Sequence, residues 1–402
     1  MKKLICRVCK KKGELVIDLN LQPLANAILN KKKREKHYPL KIFRCKNCKT
    51  LQLVDNVNPN ILFKNYVWVT GTSISTVNYL KKFSNYIFKK FNNNFNLKIL
   101  EVASNDGTFI EILKKKFEYV KGVEPASNLA RLANSKGNKT FNLFFNYISA
   151  KKIIKKLNSK VDLIICRNVI PHINNLHTVF KGVNLLLNEN GKLIIEFHYA
   201  KEIIQNMQFD YIYHEHTYYF TIQTLSYFAK LYDLYPNDVK ESKISGGSLI
   251  LTFSKNKKQS IKLKNMIKNE QKLKINSLNK IKKFNNKLIK YRSKIKKIIE
   301  NKNYLPIAGY GSSARSNTLL NFVKLKNNCI EYIFDNNSLK HNKYTPGTQI
   351  KIIKPKKKNK KKFKTIIVFA WNFYDEIKKD LIKLGYKGRI IKTLPKIRIE
   401  KI

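Results

Sequence analysis

Two Cys-x-x-Cys knuckles, Cys6-Arg7-Val8-Cys9 and Cys45-Lys46-Asn47-Cys48, constrain the start of this chain more than any other feature. Each knuckle brings two thiolates to one turn, and the two together supply four sulfurs in a closed tetrahedral set, the structural form for zinc. A redox Cys-x-x-Cys stands alone at a helix start after a strand. Four unrelated core cysteines would not fall in paired spacing. Four protein ligands leave no open position, so zinc here holds a fold together and performs no chemistry. Cys166 and Cys329 read as ordinary core residues.

Six cysteines in 402 residues do not make a secreted disulfide scaffold. No apolar stretch approaches the roughly 20 residues a membrane-spanning helix needs, and no signal-type apolar core follows the first residues. The expectation is a cytoplasmic protein without a membrane span. Its 81 basic and 26 acidic side chains give a net charge of +55, which points at first to nucleic acid or an anionic surface. Only nine of the basic residues are Arg, and the Lys excess runs beside an excess of Asn and Ile along the whole chain. That is a compositional bias and not a patch, and scarce Arg argues against a base reader. No specific nucleic-acid partner is expected; the charge would still concentrate anionic substrates.

From about Asn96 to His198 strand and helix alternate. Strand candidates are Leu97–Ala103, Tyr119–Val123, Val161–Cys166 and Lys192–Phe197, with a helix near Phe109–Lys116, a pattern that indicates a parallel sheet covered on both faces. Residues 255–300 place Leu278, Ile281, Phe284, Leu288, Ile295 and Ile298 at helical spacing and read as one long helix with a buried stripe. After residue 303 a second α/β unit begins: Leu305–Ala308, the turn Gly309–Arg315, a helix from Asn317, then strands Ile330–Phe334 and Thr365–Phe369. The run Lys354–Lys364 reads as an exposed loop.

Three constellations carry chemistry. Ile99–Thr108 is a strand running into a small-residue turn, where a cofactor can approach the backbone closely. The next strand ends Gly122-Val123-Glu124-Pro125, which places a carboxylate to accept from ribose hydroxyls. The first turn lacks the G-x-G-x-x-G spacing for a dinucleotide and favours an adenosyl ligand without phosphates. Asp210-Tyr211-Ile212-Tyr213-His214-Glu215-His216 gathers acid, imidazole and phenol groups, and His172 lies at the same sheet edge. If the segment is extended, His214 and His216 share one face, and Tyr213 and Glu215 the other; a turn would bring them closer. General acid–base work is the chemistry such a cluster suits. The turn Gly309-Tyr310-Gly311-Ser312-Ser313-Ala314-Arg315 offers helix N–H groups and a guanidinium fork to phosphate oxygens.

With these motifs in this order, the chain resembles the S-adenosylmethionine-dependent sugar C-methyltransferases of the deoxysugar C-3 type, over nearly its whole length. Further matching residues are Pro23-Leu24-Ala25-Asn26, Leu51-Gln52-Leu53, Gly246-Gly247-Ser248, Pro346-Gly347-Thr348 and Ala370-Trp371-Asn372-Phe373. The resemblance implies an α/β protein of three parts: a zinc-binding domain at 1–68, a class I (Rossmann-like) methyltransferase domain at 69–245, and a Rossmann-like substrate domain at 246–402. It implies a nucleoside-diphosphate 4-keto-deoxysugar as substrate, with methylation beside the ketone, for polysaccharide or glycan synthesis.

Under that resemblance His216 would be the base, with Tyr213, Glu215 and His172 positioning or polarising the sugar. Glu101, Ala103, Asn105, Asp106, Gly107, Glu124, Pro125 and Asn168 would surround the cofactor, and Tyr66, Gly311, Arg315 and Asn317 the substrate. Cys6, Cys9, Cys45 and Cys48 would hold structural zinc. Four positions depart from the family pattern. Ala103 stands where Gly is usual, Leu143 lacks an expected Asp, Arg315 replaces Lys, and Gln349 replaces His. The competing readings are an RNA methyltransferase with a zinc module and a non-catalytic binding protein.

Overall fold

Alternating burial along Gly13–Gln22, where Ile17 and Leu19 are buried and Asp18 and Asn20 exposed, marks a strand with one face on a core. In the computed structural model, which describes residues 3–63, 66, 68–324, 329–356 and 362–402, this is β1. Residues 357–361 of the expected Lys354–Lys364 loop lie outside the described residues.

Among the described residues the strands form three sheets. In the first, β1 pairs antiparallel with β2 (Tyr38–Cys45), β2 with β3 (Leu51–Leu53), and β3 with β9 (Tyr218–Tyr219), a two-residue strand from far along the chain. Both knuckles sit at one end of this sheet.

The second sheet is built from β4 (Lys98–Val102), β5 (Tyr119–Val123), β6 (Thr140–Phe141), β7 (Val161–Arg167), β8 (Leu187–His198), β10 (Tyr235–Ser242) and β11 (Ser248–Ser254). Its order is β10-β11-β8-β7-β4-β5-β6, parallel from β8 to β6, with β11 antiparallel between β8 and β10. That is the class I methyltransferase arrangement. Its central strands are buried on both faces, as helix-covered parallel strands must be. β11 is an interior strand of this sheet although it lies beyond residue 245, where the middle domain was expected to end. Strand pairing decides membership there, and the Gly246-Gly247 turn returns the chain into the sheet.

The third sheet runs β14 (Lys351–Ile353), β13 (Tyr332–Phe334), β12 (Ile307–Tyr310), β15 (Thr365–Val368), β16 (Arg389–Lys392) and β17 (Arg398–Lys401), parallel except for β17. Strand order reverses between β12 and β15, so their carboxyl ends open a crevice.

The long basic segment is two helices and not one. Ile261–Leu273 ends at Lys274 in the left-handed region (φ 46°), and Ser277 caps Leu278–Glu300 by accepting from Lys280 N. Leu278, at the first helical position, is exposed; Ile281, Phe284, Leu288, Ile295 and Ile298 are buried. They join one apolar core with Ile17 and Ile42 of the first sheet, Ile204 and Phe209, and Leu319 and Ile333 of the last unit. The helix thus packs two outer units onto the middle one. Phe284→Ala should cost roughly 3–5 kcal/mol, because it opens a cavity where these units meet. A lowered urea midpoint checks this; an unchanged midpoint would place the stabilising contact elsewhere.

Candidate active site and zinc centre

The four knuckle sulfurs lie within 4.8 Å of one another, with Cys6 to Cys48 at 3.6 Å and Cys9 to Cys45 at 3.4 Å. A tetrahedral zinc with bonds of about 2.3 Å requires sulfurs about 3.8 Å apart, so the set fits one ion. Backbone N–H groups of Val8 and Cys9 and the Gln52 amide donate to Cys6 Sγ, and Asn47 N donates to Cys45 Sγ. Such donors favour thiolates.

One cavity of about 970 Å³ opens where the three units converge. Its floor is the carboxyl edge of the second sheet. Glu101, Ala103, Asn105, Glu124, Pro125 and Asn168 line it there. Glu124 Oε2 accepts from Asn105 N (2.8 Å) and Oε1 from Ala126 N (2.8 Å), which leaves lone pairs for a ligand. Burial raises its carboxyl above the ordinary value, against those two bonds. Ala103 has φ +59°, so the usual Gly is explained by the backbone; the methyl costs this chain about 1–2 kcal/mol of strain. Glu101 Oε2 and Asn168 Oδ1 are buried without partners, as polar atoms awaiting a ligand would be.

Two expected cofactor residues stand behind the wall. Asp106 accepts from Thr108 N and Oγ1 at the start of the following helix and from Gly71 N and Lys136, and the space a Gly107 side chain would need is filled by Asn138. They shape the turn without lining the cavity.

The acid–imidazole segment is a tight turn and not an extended strand, so its side chains do not alternate between two faces and are brought closer together. Ile212 N donates to Phe209 O and His216 N to Tyr213 O (both 2.9 Å), so Tyr213 and His216 both line the cavity. His214 turns away and bonds Tyr38 O. The His216 Nδ1–H donates to Tyr211 O at 2.7 Å, which leaves Nε2 as the unprotonated nitrogen. Its ring lies 4.0 Å from Tyr211 and from Tyr213 and 4.6 Å from His172. Burial, then the neighbouring His172, hold His216 well below 6.5, and burial holds His172 at about 4. Both are neutral at pH 7.

Glu215 accepts from Asn26 Nδ2 (2.6 Å) and Tyr66 Oη (3.3 Å); burial raises it to about 7 against these two bonds. Burial and the Glu215 charge push the Tyr66 and Tyr213 phenols well above 10, so both remain hydrogen-bond donors.

Of the expected substrate residues, Tyr66 and Arg315 line the cavity; Gly311 and Asn317 do not. Gly311, at φ +95°, packs against Ala370, and Asn317 Nδ2 donates to Ala25 O (2.7 Å). Asn317 thus holds the loop that carries Asn26. Gln349 does similar work, donating to Lys33 O. Arg315 is committed to Asp210, Gln208 and Ser245 rather than left open for a diphosphate.

Asn26 and Trp371 carry no individual role in the sequence, and Asp210 and Tyr211 only a shared one in their cluster, yet Asn26, Tyr211 and Trp371 line this wall and Asp210 supports it from behind. Asn26 and Trp371 stand in quoted motifs, but their partners are remote in sequence.

Comparison with known proteins matches three family descriptions. They are a zinc binding domain at residues 6–63, a methyltransferase domain at 76–236 and a C-methyltransferase C-terminal domain at 243–395. The chain is 27% identical to C-methyltransferase NovU of Streptomyces niveus, over 98% of this chain and 96% of that one. It is 26% identical to a ubiquinone biosynthesis O-methyltransferase of Glaesserella parasuis, over 27% of this chain and 49% of the other. Among solved structures, the PH0226 protein of Pyrococcus horikoshii aligns at TM-score 0.38 and 19% identity, over 49% of this chain and 96% of that one.

Cys45→Ser should lose the metal and destabilise the first sheet. Stoichiometric zinc in that variant by elemental analysis would move the site. A pH effect follows from the raised carboxyls. Burial lifts Glu101 from 4.5 to about 8, and Glu215 to about 7, so the folded state holds more protons than the unfolded between 4.5 and those values. The depressed histidines oppose this only below about 6.5. Ligand-free, zinc-loaded protein should therefore lose stability from pH 6.5 to 8, by roughly 1 kcal/mol per pH unit from Glu101 throughout and from Glu215 only up to about pH 7. Urea midpoints at the two pH values test it, and Glu101→Gln should flatten the slope.

Proposed function

This chain belongs to the S-adenosylmethionine-dependent C-methyltransferases that join a zinc-binding domain to a methyltransferase domain and a C-methyltransferase C-terminal domain, and on that premise we propose its substrate and mechanism. The substrate is a nucleoside-diphosphate 4-keto-deoxysugar, methylated at the carbon beside its ketone for polysaccharide or glycan synthesis in the cytoplasm. The observation that carries this reading is His216: a neutral imidazole with Nδ1–H tied to a carbonyl, on the cavity wall beside two phenols.

A C–H bond becomes acidic enough for an imidazole only when an adjacent carbonyl takes up the electrons. Nε2 of His216 removes that proton. The Tyr213 hydroxyl donates to the ketone oxygen as it gains charge, while Tyr66, whose own proton goes to Glu215, lines the sugar's side of the cavity. The imidazolium then lies over the Tyr211 and Tyr213 ring faces, which favour a cation. When bound, S-adenosylmethionine supplies an electrophilic methyl group to the resulting carbanion. Glu124 accepts from its ribose hydroxyls, while Glu101, Asn105 and Asn168 complete that edge. His172 holds its neutral ring against His216 and bars a second positive charge. A substrate bridging to Ser313 and Trp371 spans the cavity from the middle unit to the last. NovU's full-length similarity supports carbon as the atom methylated.

The test separates proton removal from methyl transfer. Keto-sugar, enzyme and S-adenosylhomocysteine are combined in deuterated water, and exchange at the acidic carbon is followed by NMR. His216→Ala should slow exchange by roughly 10²–10⁴-fold with cofactor affinity unchanged. Exchange that persists in His216→Ala and vanishes in Glu215→Gln would move the base to Glu215.

A further inference from the structure

Asp210 is fully buried, one residue before the carbonyl that orients His216. Its Oδ2 accepts from Arg315 Nε (2.9 Å) and Trp371 Nε1 (2.7 Å), and its Oδ1 from Arg315 Nη2 (3.0 Å). Arg315 Nη1 donates to Ser245 O and Nη2 also to Gln208 Oε1 (3.3 Å). The guanidinium lies 4.8 Å from the Trp371 ring. Arg315 follows β12 and Trp371 follows β15, so both reach across from the crevice edge of the last unit.

We propose that Asp210, Arg315 and Trp371 are positioning residues for His216, a clamp from the last unit that decides which imidazole nitrogen is the base. The proposal rests on His216 being the base. A two-pronged guanidinium–carboxylate pair fixes both position and plane of its carboxylate. Fixing Asp210 restrains the residue after it, Tyr211, whose carbonyl, in the Tyr211–Ile212 peptide, accepts the hydrogen bond from His216 Nδ1–H. The Tyr211 ring is held as well, stacked between His198 at 3.9 Å and His216 at 4.0 Å. Loosening the clamp lets that carbonyl turn away, and the imidazole then divides its proton between both nitrogens. A ring protonated at Nε2 presents a donor to the sugar carbon and cannot accept its proton. Arg315 therefore acts through Asp210 although it lines the cavity, because Nε, Nη1 and Nη2 each donate to a protein acceptor.

The experiment uses full-length, zinc-loaded protein labelled with nitrogen-15 histidine, with the His216 signals assigned by their loss in His216→Ala. Wild type should show a single tautomer with Nδ1 protonated, and Asp210→Asn a mixture. In turnover, Asp210→Asn should lower kcat about 10–100-fold, the usual loss when a supporting hydrogen-bond partner is removed, with KM within twofold. Arg315→Lys should retain more activity than Arg315→Ala, and S-adenosylhomocysteine affinity reports folding in each variant. An unchanged tautomer in folded Asp210→Asn and Arg315→Ala overturns the proposal. A raised KM with kcat retained in Arg315→Ala overturns it too, by assigning that side chain to the substrate. If wild type exchanges no keto-sugar proton, the substrate reading fails, while the imidazole spectrum still decides the clamp.

Discussion

One buried turn, residues 208–217, has to be held from three sides for the cavity to exist. It carries Asp210, His214, Glu215 and His216, all nearly inaccessible to water. Burying such groups is costly unless each finds a partner. The first unit supplies Tyr38 O to His214, Asn26 to Glu215 and, through Leu53 N, a donor to Thr217 O. The middle unit supplies Pro171 O to Thr217 N, and the last supplies Arg315 and Trp371 to Asp210. Phe209 anchors the turn in the shared core, against Tyr291 and Phe322. The three units are therefore one apparatus for seating this turn.

The net charge of +55 plays no part in that seating. The cavity mixes carboxyl groups such as Glu101, Glu124 and Glu376 with Arg167, Lys243, Lys340 and Lys392. The His172 and His216 rings are neutral because they are buried. Lysines spread over the outside leave the local chemistry to burial and hydrogen bonds, and act on anionic ligands only at long range.

The fold was legible wherever local pattern dominates. Buried strands β4, β5, β7 and β8, the paired knuckles and the helical stripe through Ile281 and Phe284 all follow from periodicity and spacing. The break at Lys274 was not legible, because a single Ser cap among many polar residues decides it. At the site, the residues of the 210–216 cluster could be picked out, but their directions could not. Period-two reasoning assumes extension, whereas Phe209 and β9 fold the segment into a turn. Asp106 and Asn317 look like ligand binders by position, yet they bond to backbone and neighbouring loops. Those partners are set by tertiary packing. Asn26 needed Glu215, 189 residues away, to reveal its use.

β9 is only two residues long, yet it closes the free edge of the sheet that holds the knuckles: Tyr218 pairs with Gln52, whose side chain donates to Cys6 Sγ. A ribosome delivers the four cysteines long before it delivers Tyr218 and Tyr219. Until then β3 presents an open edge, the kind of surface that invites pairing with another chain. A nascent chain that captures zinc early has its knuckles fixed and that edge ready as a template. When residues 218–219 emerge and add to it, the turn just upstream is drawn into place in the same event. In the order of synthesis, the cysteine cluster comes first and the buried turn is added to its sheet later.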